Sequence, residues 1–169
     1  MTFSIRPLDR AMRVAEFACG DEALDRYLQN YASQDVRRGV ARVFVASPLH
    51  DSGCVAGFFS LSAGSISASN LPDALRQRLP RYPVPIALLG RLAVDGAFQR
   101  RGLGSVLLAD ACQKVVTASQ VLAVAGIVVD AKSAEAASFY RHFGFVDLPG
   151  SSERLILPYA SFGKLLVAA

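Results

Sequence analysis

Polar and apolar positions divide the chain into short segments of two different periods. Phe3–Arg6 alternates as a half-buried strand does. Pro7, Leu8 and Asp9 lead into a predicted helix that ends before Cys19 and Gly20. Asp21 suits the N-cap of a second helix, on which Leu24, Leu28 and Tyr31 share one face at i, i+4 and i+7. Arg42–Ser47 and Gly53–Ala63 read as two strands joined by a polar turn around Asp51, Ser52 and Gly53. Asn70–Pro85 holds four of the eight prolines and reads as a loop with one helical turn at Asp73–Gln77. Ile86–Val94 is apolar enough for burial on both faces, the mark of a central strand. An amphipathic helix over Leu103–Ala118 follows, then a nearly all-apolar strand, Val121–Asp130. Ser133 opens a helix that runs to His142, and Gly144 sits at its stop. Phe145–Leu148 and Arg154–Pro158 complete the pattern as a hairpin. This order predicts an α/β fold: a mixed, mostly antiparallel sheet with a parallel βαβ crossover in its second half.

Composition narrows the class. The chain has 169 residues, 52% apolar and 19% charged, enough to bury the core of one domain spanning 1–169 and too apolar for disorder. Its longest apolar runs, such as Val121–Val129, reach about half of the ~20 residues that a bilayer span needs. The opening MTFSIRPLDR has no apolar stretch of the secretory kind. A cytoplasmic protein without membrane contact is expected. Cys19, Cys54 and Cys112 are far apart, with no CxxC and no neighbouring His, so neither a disulfide framework nor a metal site is expected.

Charge changes the picture more. The formal net charge is +4, but residues 37–101 hold nine Arg against three acids, whereas 1–36 hold four Arg against six acids and 102–169 are balanced. The excess lies in the middle third and is all arginine, whose planar fork suits phosphate. Ordinary surface ion pairs would absorb some of it.

The chemistry concentrates at two places. Gln99-Arg100-Arg101-Gly102-Leu103-Gly104 stands between a strand and a long helix. Its glycines let backbone approach a ligand, and the helix N-terminus attracts an anion such as a pyrophosphate. The glycine patterns of nucleoside triphosphate and dinucleotide loops are both missing. The second place is Tyr140. If Phe139 faces the core, Tyr140 turns toward a neighbouring groove; on spacing alone it is also a half-buried packing residue.

These residues carry a resemblance. LLGRLAVD (88–95), the QRRGLG run and SAEAASFYRHFGF (133–145) resemble the GNAT acetyltransferases, whose acetyl-CoA signature Gln99, Gly102 and Gly104 match. Phe17-Cys19-Gly20, Leu24-Asp25, Tyr27-Leu28, Ser60–Gly64 and Leu79–Pro85 further resemble the GNAT toxins of type II toxin–antitoxin modules, which acetylate the amino acid on charged tRNA. The similarity spans roughly residues 3–158. It implies a GNAT fold with a central parallel strand pair splayed around acetyl-CoA. Leu92, Ala93 and Val94 would hold pantetheine and polarise the thioester carbonyl. Gln99, Arg100, Arg101, Gly102, Leu103, Gly104 and Ser105 would hold the pyrophosphate. Tyr140 matches the general acid that protonates the departing thiolate, and Arg78, Arg81 and Arg91 occupy or flank the stretch that meets tRNA. The resemblance also implies a ribbon-helix-helix antitoxin, through whose complex alone operator DNA is met, and in many members a homodimer. Phe58-Phe59 departs from a tyrosine common among relatives, which bears on the acceptor pocket, and Asp130-Ala131 replaces a frequent Asn.

Reference pKa values agree with that chemistry. A tyrosine, near 10, stays protonated at neutral pH, and an α-amine near 7.7–8 is about a tenth neutral at pH 7. A dedicated base is then dispensable, and His50 and His142 are not expected to act as one. The competing readings are a GNAT enzyme for a small amine, antibiotic or peptide N-terminus, and a non-catalytic module binding acyl-CoA or nucleic acid.

Overall fold

The structure, a computed structural model, describes residues 2–150 and 153–167. Its strands are β1 (Phe3–Pro7), β2 (Arg42–Pro48), β3 (Gly57–Ile66), β4 (Val84–Val94), β5 (Gly126–Asp130), β6 (Val146–Asp147) and β7 (Arg154–Pro158). They form one sheet in the order β1-β2-β3-β4-β5-β7-β6. Only β4 and β5 run parallel among the registers described, with Ala87–Leu89 facing Ile127–Val129, and β4 continues for five residues past that pairing. The predicted mixed sheet with its parallel crossover is therefore present. The helices are α1 (Glu22–Arg26), α2 (Ala32–Arg37), α3 (Asp73–Arg76), α4 (Leu103–Ala118), α5 (Ala134–His142) and α6 (Phe162–Val167). Chain contacts divide the fold into two compact units, Met1–Ser62 with Gly90–Ala111 and Ala63–Leu89 with Cys112–Ala169.

In the first unit, β1 and β2 pair antiparallel from Phe3↔Pro48 to Pro7↔Phe44, and β2 pairs with β3 from Arg42↔Leu61 to Ala46↔Gly57. Helices α1 and α2 cover this sheet, with Leu28, Tyr27 and Ala32 packed among Phe17, Val43, Val45, Phe58 and Ala93. Gly57 is required by close approach, because a Cβ there would lie 2.8 Å from Leu107 Cδ1 and 2.9 Å from the Ala93 carbonyl. Asp21 caps α1 as expected, its carboxylate accepting from the amides of Ala23 and Leu24.

The predicted helical face is corrected. Leu28 is buried, but Tyr31 is 52% exposed and Tyr27 takes its place at 6%. The cause is a π-helical turn over Tyr27–Tyr31 between α1 and α2, which widens the helix there and resets its phase. A second correction concerns residues 7–18, where only one 3-10 turn, Val14–Glu16, forms. The Asp9 carboxylate takes the Ala11 amide at 2.8 Å, and Met12 and Phe17 enter the core separately, five residues apart. The strand expected from Gly53 starts instead at Gly57, because the Gly53 carbonyl accepts the Arg13 amide at 2.8 Å rather than a ladder bond.

The second unit packs Ile66, Leu71, Val84, Ile86, Val128, Leu148 and Ile156 together. Here β5 pairs antiparallel with β7 and β7 with β6, giving the expected hairpin. The strand expected over Val121–Asp130 is confined to Gly126–Asp130. Val121 and Leu122 are 92% and 70% exposed, since the Ala118 carbonyl accepts both of their amides and the apolar run begins as a turn.

Candidate active site

At its end β4 delivers Leu92, Ala93 and Val94, with Ala93 in the first unit's core and its two neighbours half-buried. Asp95 turns the chain. Its carboxylate accepts from Ala97 N at 2.9 Å and from Ala18 N at 3.0 Å, which ties the turn to the segment before α1. The Gln99 side-chain amide donates to the carbonyls of Val94 and Cys19, each at 2.8 Å. Gln99 is thus engaged within the protein and fixes the shape of the loop.

The next residues are conformationally unusual. Arg100 has φ 65 and Gly102 has φ 79, both in the left-handed region. A Cβ at Gly102 would meet nothing within 4 Å, so its backbone angle rather than crowding calls for glycine. Arg100 bears this conformation with a side chain, at a cost of order 1–3 kcal/mol that surrounding structure must offset. Left-handed residues stand on either side of Arg101, an alternation of a kind found in anion-binding nests. Directly behind, α4 begins at Leu103, which is buried and anchors it. The first amides of a helix lack intrahelical acceptors and carry its positive end; in α4 they belong to Leu103, Gly104 and Ser105. Arg100, Arg101 and Ser105 are exposed, and Gly104 is half-buried. The donor set fits a pyrophosphate such as that of acetyl-CoA.

In the second unit, Ser133 caps α5 by accepting the Ala136 amide at 3.1 Å. Ala137 and Tyr140, three apart, form the buried side of α5, and Phe139 is only half-buried, which reverses the expected orientation of the pair. The Tyr140 ring packs against Phe139 and Phe145, with centroids at 5.4 and 5.5 Å. Burial, then the neighbouring Cys112 and Asp130, push its phenol up to about 12. Among the described residues this hydroxyl donates no hydrogen bond. A protonated phenol with an uncommitted hydrogen can supply a proton to a departing thiolate.

The remaining residues singled out by sequence have the following surroundings. Arg78 and Arg81 are exposed on the second unit, and His50 and His142 are exposed as well. Phe58 and Phe59 are fully buried, the first against Phe17 and Tyr27 and the second against Phe44. Arg91 is half-buried on β4 with its guanidinium carbon 3.5 Å from the centre of the Tyr27 ring. Tyr27 in turn donates to the Asp35 carboxylate at 3.0 Å. The contact of Tyr27 with Arg91 was not legible in the sequence, because nothing local to residue 27 points to residue 91. No group of three or more His, Cys, Asp or Glu among the described residues is placed to hold a metal, and no helix among them is long and apolar enough to cross a membrane.

A strand leads here into a left-handed, arginine-bearing loop at the start of a long helix, in a sheet with one parallel pair among the registers described, an arrangement suited to cradling a phosphate. The profile of the acetyltransferase (GNAT) domain matches residues 39–147, and the chain belongs to the GNAT acetyltransferase family. It is 39% identical over 152 residues to the tRNA-acetylating toxin of Mycobacterium tuberculosis, covering 90% of this chain and 89% of that protein. Among solved structures it resembles AtaT complexed with acetyl-methionyl-tRNAfMet, at a TM-score of 0.89, 28% identity, and 98% and 99% coverage of the two chains. It also resembles a tyrosine-to-phenylalanine variant of the AtaT toxin bound to the C-terminus of the antitoxin AtaR and to acetyl-CoA, at 0.82, 26%, 97% and 98%.

Proposed function

We propose that this chain is a toxin acetyltransferase that moves the acetyl group of acetyl-CoA onto the α-amine of an aminoacyl-tRNA and so blocks translation. The observation that carries the reading is the 39% identity, over nine-tenths of the chain, to a tRNA-acetylating toxin. The residues supply compatible chemistry. When bound, acetyl-CoA provides an acetyl thioester, whose C–S bond is exchanged for a C–N bond to the amine. The Gln99–Ser105 segment holds its pyrophosphate with backbone amides and the charges of Arg100 and Arg101, and the amides of Leu92, Ala93 and Val94 hold pantetheine and polarise the thioester carbonyl. Tyr140 gives its hydroxyl proton to the departing sulfur and recovers one from the ammonium formed on the acceptor, through solvent. Burial, which keeps the phenol neutral, suits it to that part.

In this reading residues 1–169 form a single acetyltransferase domain working in the cytoplasm. Its antitoxin partner is of the ribbon-helix-helix type, operator DNA is met only through that complex, and a homodimer is compatible with the reading. Arg78, Arg81 and Arg91 contact tRNA. The test is direct: purified protein, radiolabelled acetyl-CoA and total charged tRNA, with deacylated tRNA and the Tyr140→Phe variant as controls. Label in acid-insoluble RNA that mild alkali releases as an N-acetyl amino acid, and that both controls lack, is the expected result. A protein that binds acetyl-CoA yet labels only small amines or peptide N-termini would overturn it.

A further inference from the structure

Arg91 stands out among the arginines of the first unit. It is half-buried on β4, one residue before Leu92, and among the described residues it has no carboxylate partner. Leaving a partly desolvated cation without a counter-charge is unfavourable unless something else supports it. The support is the Tyr27 ring. At 3.5 Å from its centre the guanidinium carbon is in van der Waals contact with the ring face, and the N–H donors radiate in the guanidinium plane, away from the ring. Tyr27 is itself held. Its ring is stacked on Phe58 at 6.4 Å, and its hydroxyl donates to Asp35 at 3.0 Å. Donation to a carboxylate makes the phenol ring richer in electrons and a better partner for a cation. The π-helical turn that begins at Tyr27 is the irregularity that turns this ring inward, and such turns often mark functional positions.

A direct ion pair would have fixed Arg91 by consuming its donors. Placing the phenol between carboxylate and guanidinium fixes it and leaves the fork free. We propose that Tyr27 and Asp35 are positioning residues that hold Arg91 as an uncommitted fork for a substrate phosphate, the group that best matches its two parallel donors. The inference rests on the acetyl-transfer reading above. On that reading the phosphate is the acceptor RNA's, and a phosphate of acetyl-CoA is the other source that the experiment separates from it.

The experiment is a steady-state comparison of wild type, Arg91→Gln, Arg91→Lys, Tyr27→Leu, Tyr27→Phe and Asp35→Asn, titrating charged tRNA and acetyl-CoA separately. Arg91→Gln is expected to raise the KM of one of the two about tenfold while kcat stays within about threefold, the pattern of lost anchoring rather than lost chemistry. Which KM moves identifies the source of the phosphate. Tyr27→Leu is expected to produce the same rise with Arg91 still present, whereas Tyr27→Phe, which keeps the ring, retains most of the wild-type affinity. The double variant Tyr27→Leu/Arg91→Gln is expected to be no worse than Arg91→Gln alone, because both act through one contact. If Tyr27→Leu does not fold, the cycle is run with Asp35→Asn, whose smaller rise should likewise vanish in the Arg91→Gln background. Unchanged KM values in Arg91→Gln, or effects that simply add in the double variant, would overturn the proposal. Wild type that labels no charged tRNA would instead overturn the functional reading; the acetyl-CoA arm, read by calorimetric binding, still decides Arg91 in that case.

Discussion

Tyr140 combines two properties that pull against each other in an exposed tyrosine. In the mechanism proposed above it gives up a proton during turnover and keeps it at rest. Burial raises its pKa to about 12, so the phenol remains protonated across the working range. The consequence is a one-sided pH profile. The rate with an α-amine acceptor should rise as the amine loses its proton, through roughly 7–8, and show no falling limb from Tyr140 below about pH 11. Initial rates corrected for spontaneous ester hydrolysis would check this, and a falling limb centred near pH 9 would mean that a different acid operates. Tyr140→Phe keeps both ring contacts and removes only the hydroxyl. It should lower kcat about 10²-fold or more, the range of a lost general acid, with the KM for acetyl-CoA nearly unchanged, as release of free thiol would report.

At the scale of elements, the loop before α4 shows how a few residues fix the backbone at a helix start, where the proposed pyrophosphate would sit. Gln99 and Asp95 lock its shape through main-chain groups of Val94, Cys19, Ala97 and Ala18, and Gly102 supplies a backbone angle that other residues adopt at a penalty. Gly102→Ala has open space for its methyl, so its effect comes from φ 79 alone. A loss of roughly 1 kcal/mol in stability is expected, together with a severalfold weaker acetyl-CoA affinity. Denaturant unfolding and calorimetry measure the two, and an affinity unchanged to within error would remove the loop from cofactor binding. The bounds of α4 were legible in sequence to the residue, because Gly102 stands directly before a long run with helical spacing of its apolar positions. Strand limits were less so. An apolar run such as Val121–Asp130 states how much can be buried, but not that its first residues are spent reversing the chain after α4. The face of α1 and α2 was misread for a different reason: a π-helical turn has no signature in a 3.6-residue pattern. The contact between Tyr27 and Arg91 joins positions 64 residues apart, and no local spacing encodes it.

At the scale of the whole molecule, two charge effects set how the protein meets its surroundings. The first is the arginine excess of residues 37–101. Arg37, Arg38, Arg78 and Arg81 are exposed, whereas Arg76 is paired with Asp73 and Arg42 leans on the Val36 carbonyl. Cations of this kind are available for phosphates, and each phosphate neutralised releases counterions. The KM for charged tRNA should therefore rise steeply between about 50 and 200 mM salt, by a factor of ten or more if several contacts form, while a small α-amine acceptor shows little dependence. Equal salt sensitivity for both acceptors would mean that the basic stretch plays no part in RNA binding.

The second effect concerns stability in alkali. Burial holds Tyr27, Tyr140 and Cys112 each at about 12 and Cys19 at about 11, all above the values these groups have in an unfolded chain. A folded state with raised pKa values keeps its protons where the unfolded state has lost them. The stability these groups contribute is therefore complete below about pH 8.5 and is withdrawn as pH climbs toward 12, at up to about 1.4 kcal/mol per pH unit for each group titrating. The Tyr pair engages above about pH 10 and the thiols above about 8.5–9, so the urea midpoint, measured under reductant, should fall between pH 9 and 11 with increasing slope. Tyr140→Phe removes one of the four groups and should flatten the upper part of that curve without moving its start, which belongs to the cysteines. A midpoint constant to pH 11 would mean that these side chains meet solvent in the folded state. Tyr140 would then lose the environment that keeps its proton, and the general-acid assignment would fall with it.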